Sequence, residues 1–135
     1  MDLEQLRALA TDGVVLVDGQ VVLVQRDHDP YEGQWVLPGG FVERSETARA
    51  ACERELAEEV GMNVRAEQFV GLYDDPDRDP RGNVSAAFRC TPVADADPQP
   101  REEARAVEFF DPYDHPSIGF SHERTVADVP ENKSE

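Results

Sequence analysis

Basic residues are scarce in this chain of 135 residues, and lysine is almost absent. There are 13 lysines and arginines against 29 aspartates and glutamates, which gives a formal net charge of -16, and Lys133 is the single lysine. Nucleic acids bind to basic surfaces, so this composition argues against a nucleic-acid partner. A carboxylate surplus of this size repels itself in dilute salt, and it resembles the composition of proteins from halophilic cells, whose salt screens the repulsion.

Cysteines and long apolar runs are also scarce. Cys52 and Cys90 lack the spacing of a metal site and are expected to be small core residues. No signal peptide or membrane-spanning run is visible, which indicates a cytoplasmic protein without a membrane partner. Hydrophobic residues make up 39% of the chain, in patterned runs, which favours a folded protein over a disordered acidic one. With no repeat or long linker, residues 1–135 are expected to form a single domain.

The order of apolar patterns predicts an α/β (α+β) fold with helices packed on a mixed sheet. Two valine-rich runs joined by Asp18-Gly19 predict a β-hairpin over 12–26. A one-sided apolar pattern predicts a helix over 47–60, with Ser45 as its N-cap and Gly61 as its stop. The other expected elements are helices over 1–10 and 120–129, strands over 64–73, 83–90 and 106–110, a Pro-Gly-Gly turn at 38–40, and a frayed end at 130–135.

The stretch RELAEEVGM, residues 54–62, gathers three glutamates on one face of the central helix. Glu55, Glu58 and Glu59 fall within a sector of roughly 100°, because positions three and four apart are neighbours on a helix. Like charges at this spacing cost about 0.2–0.5 kcal/mol per pair unless something separates them. The face is therefore either a solvated surface or a cradle for a hard cation such as Mg²⁺, which takes oxygen ligands and keeps several waters.

Extended backwards, the same stretch becomes GFVERSETARAACERELAEEVGM, residues 40–62, and it resembles the Nudix box. The box reads G-x5-E-x7-R-E-U-x-E-E-x-G-U, where U is aliphatic, and every fixed position is filled. This resemblance, which reaches most of the chain, implies the Nudix fold, a mixed β-sheet sandwiched between helices. It also implies hydrolysis of a nucleoside diphosphate linked to another moiety with Mg²⁺, for which Mn²⁺ can substitute. Many members of the ADP-ribose pyrophosphatase-like subgroup are dimers, so a homodimer is expected by analogy.

The resemblance also assigns roles to residues of the box. The implied metal ligands are the carbonyl of Gly39 and the carboxylates of Glu55, Glu58 and Glu59. Gly39 and Gly40 have no Cβ, so their backbone can approach a metal closely. Arg54 would hold the glutamates in place through a forked pair with Glu46, and a mere surface ion pair is the alternative for these two residues.

The box does not settle which group takes the proton from the attacking water. A metal-bound carboxylate is a poor base because the cation stabilises its charged form. In several Nudix enzymes a glutamate on a loop beyond the box serves as this base or adds a metal contact, and here Glu102 and Glu103 are the candidates. Glu103 is preferred, and the alternative is that it is only one more solvated acid in an acidic chain.

Three arginines are candidate contacts to the substrate. The segment DPDRDPRG, residues 75–82, resembles a loop of the ADP-ribose pyrophosphatase-like subgroup, and its Arg78 and Arg81 can meet phosphate or ribose oxygens. A turn with a local ion pair is the alternative for this segment. Arg26, at the end of the hairpin, is the third candidate, although a strand-end arginine is often only exposed.

The remaining aromatic residues and histidines carry weaker signals. Trp35, Phe109 and Phe110 are expected in the core or at its edge. His28, His115 and His122 have no partner pattern and are expected at the surface rather than as ligands.

Three functions compete at this stage. The first is Mg²⁺-dependent hydrolysis of ADP-ribose or a related nucleotide sugar to AMP and a sugar phosphate. The second keeps the chemistry but acts on damaged nucleoside triphosphates and releases pyrophosphate. The third is a non-catalytic nucleotide-sensing module, which the unbroken box disfavours.

Overall fold

A mixed β-sheet forms the centre of the protein, for which a computed structural model describes residues 1–94 and 97–129. In chain order the elements are β1 (Leu9–Val17), β2 (Gln20–Arg26), β3 (Trp35–Val36), β4 (Gly39–Phe41), α1 (Ala48–Val60), β5 (Val64–Tyr73), β6 (Val84–Pro92), β7 (Ala104–Phe110) and α2 (His122–Ala127). Short 3₁₀ helices lie at Leu3–Gln5 and Gly119–Ser121. None of the helices in these two ranges is long and apolar enough to cross a membrane.

Strand β1 is the hub of the sheet. The strand order is β3-β2-β1-β6-β5, with β4 paired to β1 and β7 paired to β2. The β1–β6 pair is parallel, while β1 pairs with β2 and β4 in the antiparallel sense. The predicted α/β (α+β) fold with a mixed sheet is confirmed.

The two faces of the sheet carry separate cores beneath the two helices. Alternate residues of a strand point to opposite faces, so Val15 packs with Cys52 and Leu56 of α1, while Val14 packs with Val126 of α2. The Cys52 thiol lies 3.7 Å from that of Cys90, and both residues are buried. The prediction of small core cysteines is confirmed.

The N-terminal third follows the predicted hairpin but not the predicted first helix. Asp18 and Gly19 both have positive φ, 52° and 79°, as the tight turn between β1 and β2 requires. The helix expected over 1–10 is wrong, because only Leu3–Gln5 form a 3₁₀ turn and β1 already begins at Leu9. This segment is extended because its backbone pairs with two strands. Residues 9–11 pair with β6 on one side, and residues 10–11 pair with β4 on the other.

The N-cap of helix α1 lies two residues later than expected. Thr47, not Ser45, is the N-cap, and its side chain accepts a hydrogen bond from the Ala50 N–H at 3.1 Å. Both residues carry a hydroxyl, so residue type alone does not separate them. Gly61 ends the helix as predicted, with φ 69° and its N–H bonded to the Ala57 carbonyl.

The turn expected at 38–40 is wrong, because Gly39 and Gly40 belong to strand β4. Gly39 pairs with Asp12 and Gly40 with Thr11 of β1. A Cβ at Gly39 would overlap with the Thr11 carbonyl oxygen, so the two backbones approach closely only because glycine is there. These glycines therefore serve a close approach of strands rather than a turn.

The C-terminal third keeps the predicted order with shifted bounds. Strand β6 runs to Pro92 and β7 starts at Ala104, two residues earlier than expected. The helix expected over 120–129 shortens to α2, since Phe120 and Ser121 have positive φ of 57° and 58°. The frayed end expected at 130–135 lies outside the described residues.

Candidate active site

An open cleft of about 300 Å³ lies beside α1 and β4. The acidic wall, formed by Glu55, Glu58 and Glu59 of α1, is part of its lining, and so are arginines from β2 and from the segment between β5 and β6. The residues expected at the site that line this cleft are Gly39, Glu55, Glu58, Glu59, Glu103, Arg26, Arg78 and Arg81. Arg54 and Glu46 contact the acidic wall without lining the cleft.

Arg54, on α1, links two glutamates of the acidic wall. Its Nη1 donates to an Oε1 of Glu55 at 2.8 Å and of Glu58 at 3.0 Å. Its Nε and Nη2 form the expected fork with Glu46, at 3.0 and 2.6 Å. The hydrogen bonds from Arg54 and from the Glu43 N–H lower the pKa of Glu46 to about 2.

Glu59 is the most buried carboxylate of the box. It is 8% exposed, and its Oε1 accepts a hydrogen bond from the Gly39 N–H at 3.0 Å. Burial, followed by the charges of Glu55 and Glu103, raises the pKa of Glu59 to about 8 against the lowering effects of the Gly39 N–H and the Arg26 charge. Burial also raises the pKa of Glu55, although Arg54 opposes that rise. Both pKa shifts show that burial disfavours the charged form of these carboxylates.

The acidic wall fits a hard divalent cation by its chemistry. Its donors are all oxygens, the set that Mg²⁺ prefers, and Glu59 is a largely buried carboxylate, 8% exposed, that accepts a hydrogen bond from the Gly39 N–H. Across 1–94 and 97–129, no three carboxylate, imidazole or thiol groups form a finished metal site. The Arg54 guanidinium supplies the positive charge between Glu55 and Glu58.

Two arginines that line the cleft stack on one aromatic ring. The guanidinium carbons of Arg26 and Arg81 lie 5.2 and 5.3 Å from the centroid of Phe120. Arg81 also lies 5.6 Å from the Phe41 ring. Burial and the nearby charge of Arg81 lower the pKa of Arg26. The cleft therefore holds closely spaced positive charges, an arrangement suited to an anionic ligand.

The segment 75–82 holds its own shape with internal hydrogen bonds. The Asp75 carbonyl accepts from the Arg78 N–H at 3.2 Å, and the Asp79 carbonyl from the Gly82 N–H at 2.8 Å. The buried Asp79 carboxylate accepts from the N–H, Nε and Nη2 of Arg81 at 2.8–3.2 Å. The local ion pair of the alternative interpretation is thus present, and the same arginine lines the cleft.

Arg78 ties this segment to the rest of the protein. Its Nη1 donates to the Phe120 carbonyl at 3.1 Å and its Nη2 to the Asn83 carbonyl at 3.3 Å. These bonds engage both terminal nitrogens, so Arg78 offers the cleft its charge rather than a free fork.

Glu103 stands at the mouth of the cleft before β7. It is exposed, has a positive φ of 63°, and lines the cleft together with Glu102. Its charge is among the causes that raise the pKa of Glu59.

Sequence reasoning missed a buried polar cluster in the lining of the cleft, formed by Asp12, Ser85 and His122. The expectation of a surface position for His122 is wrong, since this residue is 3% exposed. Its Nδ1 accepts a hydrogen bond from the Leu37 N–H at 3.0 Å, and its Nε2 lies 3.2 Å from an Asp12 carboxylate oxygen. The Ser85 hydroxyl donates to the same Asp12 oxygen. A signal existed, because an aspartate beside a buried valine run needs a buried partner.

The other residues with weak signals behave closer to expectation. Trp35 and Phe110 are partly buried and pack edge to face at 5.0 Å, which confirms their place at the core edge. Phe109 packs against the core on the α1 side. His28 is 41% exposed in its side chain and pairs with Asp27.

Comparison with known proteins agrees with this geometry. A family model described as the NUDIX domain matches residues 7–129, so the chain belongs to this family. An ADP-ribose pyrophosphatase of Methanocaldococcus jannaschii is 37% identical over 121 residues, which are 90% of this chain and 72% of that protein.

Two solved structures resemble the whole fold. A NUDIX hydrolase from Nitrosomonas europaea has a TM-score of 0.83 at 25% identity, over 97% of this chain and 75% of that chain. An ADP-ribose pyrophosphatase from Streptococcus suis has a TM-score of 0.80 at 25% identity, over 96% and 94%. The protein is an enzyme, a Nudix pyrophosphohydrolase. Enzymes of this family generally use divalent metal ions.

Proposed function

We propose that this enzyme hydrolyses the diphosphate bond of ADP-ribose or a related nucleotide sugar, with Mg²⁺ or Mn²⁺, and releases AMP and a sugar phosphate. The observation that carries the proposal is the cleft itself, whose lining brings carboxylates of the box together with Arg26, Arg78 and Arg81. A diphosphate needs both a metal ion and cationic side chains to neutralise its oxygens. The 37% identity to the M. jannaschii ADP-ribose pyrophosphatase supports the choice of substrate.

The metal would be held on the acidic wall. Its proposed ligands are the Gly39 carbonyl and the carboxylates of Glu55, Glu58 and Glu59. When bound, the ion would neutralise diphosphate oxygens and lower the pKa of an attacking water. Arg54, fixed by Glu46, keeps Glu55 and Glu58 on the same side of α1.

The arginines that line the cleft would hold the substrate. Arg26 and Arg81 present guanidinium groups over Phe120 at the cleft, where phosphate and ribose oxygens can accept their hydrogen bonds. Arg78 adds positive charge while both its terminal nitrogens bind carbonyls. Substitution of Arg26 or Arg81 should therefore raise KM.

Glu103 is the proposed general base. Because Glu102 lines the same cleft, Glu102→Gln is a matched control for Glu103→Gln. At saturating Mg²⁺ we expect Glu103→Gln alone to lose the acidic limb of the pH profile and about 10²–10⁴-fold in turnover. Near-normal activity in both variants would contradict this role and return it to Glu55.

The substrate proposal is tested with a panel of nucleotides. The protein is incubated in molar KCl with Mg²⁺ and ADP-ribose, other nucleotide sugars, or oxidised nucleoside triphosphates, and the products are separated by chromatography. AMP and ribose phosphate from ADP-ribose support the proposal, with Glu59→Gln as the inactive control. Pyrophosphate from the triphosphates would favour the second function. Binding of ADP-ribose without any product would favour the sensing module.

A further inference from the structure

The first residue of α2, His122, accepts a hydrogen bond from the backbone that leads into β4. We propose that His122, oriented by Asp12, is a positioning residue that fixes the segment 37–39 and with it the Gly39 carbonyl. This inference rests on the proposed role of Gly39 as a metal ligand. It concerns a residue outside the box, at the start of α2, that lines the same cleft as the box glutamates.

The two ring nitrogens of His122 have different and fixed partners. A backbone N–H can only donate, so the Nδ1 that accepts from Leu37 at 3.0 Å carries no proton. The proton of the neutral ring therefore lies on Nε2, which is 3.2 Å from the Asp12 carboxylate. Asp12 thus selects the tautomer that leaves Nδ1 free to accept.

The segment 37–39 is held at three successive backbone groups. His122 binds the Leu37 N–H, the Gly13 N–H donates to the Pro38 carbonyl at 2.9 Å, and Glu59 binds the Gly39 N–H at 3.0 Å. Two of the three contacts come from neutral groups on α2 and β1, and the third comes from a proposed metal ligand. Loss of the Leu37 contact would leave the buried Leu37 N–H without an acceptor and would remove one of the three restraints on the backbone that leads to the Gly39 carbonyl.

Asp12 has a second buried partner besides His122. The Ser85 hydroxyl donates to the same carboxylate oxygen that lies 3.2 Å from His122 Nε2. The Asp12 backbone also pairs with Gly39 in the β1–β4 ladder. One residue therefore both orients the histidine and sits beside the carbonyl that the histidine helps to place.

The competing explanation is that His122 only anchors α2 to the sheet. The chain offers a matched control, since the Tyr73 hydroxyl anchors the other end of α2 by donating to Asp128 at 2.7 Å. Tyr73 is not among the residues that line the catalytic cleft. Tyr73→Phe therefore removes an α2 anchor without touching 37–39.

Two substitutions of His122 separate its two hydrogen bonds. In His122→Asn the amide oxygen takes the place of Nδ1 and still accepts from Leu37. In His122→Gln the amide nitrogen takes the place of Nε2 and still donates to Asp12, while the Leu37 N–H is left buried without an acceptor. The readouts are amide hydrogen exchange of Leu37 and Gly39 in the metal-free protein and calorimetric binding of Mn²⁺ alone, neither of which needs turnover.

We expect His122→Gln to speed exchange at Leu37 and to weaken Mn²⁺ binding by roughly tenfold, the effect of one lost buried hydrogen bond. His122→Asn and Tyr73→Phe should stay within about twofold of the wild type by the same reasoning. Equal effects of Gln and Asn, an equal effect of Tyr73→Phe, or unchanged Mn²⁺ binding in His122→Gln would each overturn the proposal. Failure to turn over ADP-ribose would leave these binding results untouched, so the two proposals fail separately.

A measurement on the wild type keeps the inference testable if His122→Gln does not fold. Nitrogen-15 NMR of the His122 ring distinguishes its tautomers. A protonated Nε2 with a hydrogen-bonded, unprotonated Nδ1 supports the proposal. A protonated Nδ1 overturns it.

Discussion

Replacement of Gly40 by alanine tests whether β4 sets the position of the Glu55 carboxylate. A Cβ at Gly40 would overlap with this carboxylate, whose three heavy atoms are its nearest neighbours. The obstructing group is the end of a flexible side chain, so it can move aside at little cost to the fold. We expect the free energy of unfolding to change by about 1 kcal/mol or less. Displacement of a catalytic group by about 1 Å costs about 10²-fold in rate, and we expect a loss of that order in turnover.

Two further glycines serve as matched controls. A Cβ at Gly39 would overlap with the Thr11 carbonyl oxygen and lie 2.9 Å from the Asp12 Cα, both of which are backbone of the paired strand. Gly39→Ala should therefore destabilise the fold by about 3 kcal/mol or more. A Cβ at Gly71 would meet only Tyr73 side-chain atoms at 3.4–3.5 Å, an ordinary contact. Gly71→Ala should change neither the stability nor the turnover.

The assay combines thermal unfolding by circular dichroism with product release at saturating Mg²⁺. The expected result is a Gly40→Ala variant that melts close to the wild type and turns over about 10²-fold more slowly. Wild-type turnover in Gly40→Ala would refute the close packing of β4 on Glu55. A destabilisation as large as that of Gly39→Ala would refute the claim that only a side chain has to move.

Three other predictions address charge. Glu58→Gln and Glu59→Gln should each lower turnover by about 10²–10³-fold with little change in melting temperature. Wild-type rates in either variant would contradict a catalytic role of the acidic wall. Glu67→Gln, at an exposed position, is the control. Arg54 lowers the pKa of Glu46 from 4.5 to about 2, so their pair stabilises the fold above pH 4.5 and loses this effect as the pH falls towards 2. The melting-temperature gap between wild type and Glu46→Gln should therefore close in that window, and a constant gap argues against the pair. With a net charge of -16, the melting temperature should rise from dilute buffer to molar KCl, and a flat or falling curve would remove the halophile interpretation.

The parts of the fold that depend on local spacing were predictable from the sequence. Asp18-Gly19 predicted the hairpin because few dipeptides suit two successive positive φ angles. Glu55, Glu58 and Glu59 share a face because the helical period places them there, and the fork between Arg54 and Glu46 follows the spacing of the box.

The parts that depend on contacts distant in sequence were not predictable. His122 lies 85 residues from Leu37, and no local pattern reveals that pairing. Gly39 and Gly40 have the composition of a turn, yet pairing with β1 draws them into a strand. Ser45 and Thr47 offer the same hydroxyl chemistry, and only the start of the helical hydrogen bonds selects Thr47.

The self-contained hydrogen bonding of segment 75–82 has a consequence for engineering. The segment fixes its own turns through Asp75 and Asp79, and its contacts to the body of the protein include Arg78 to two carbonyls and the Gly82 carbonyl, which accepts from Arg7. A segment of this kind can be exchanged between homologous enzymes as a unit, provided that Arg78 and Gly82 are kept as its joints. Under the proposed role of segment 75–82 in substrate binding, such grafts should vary the recognition of the nucleotide while the glutamates of α1 stay in place.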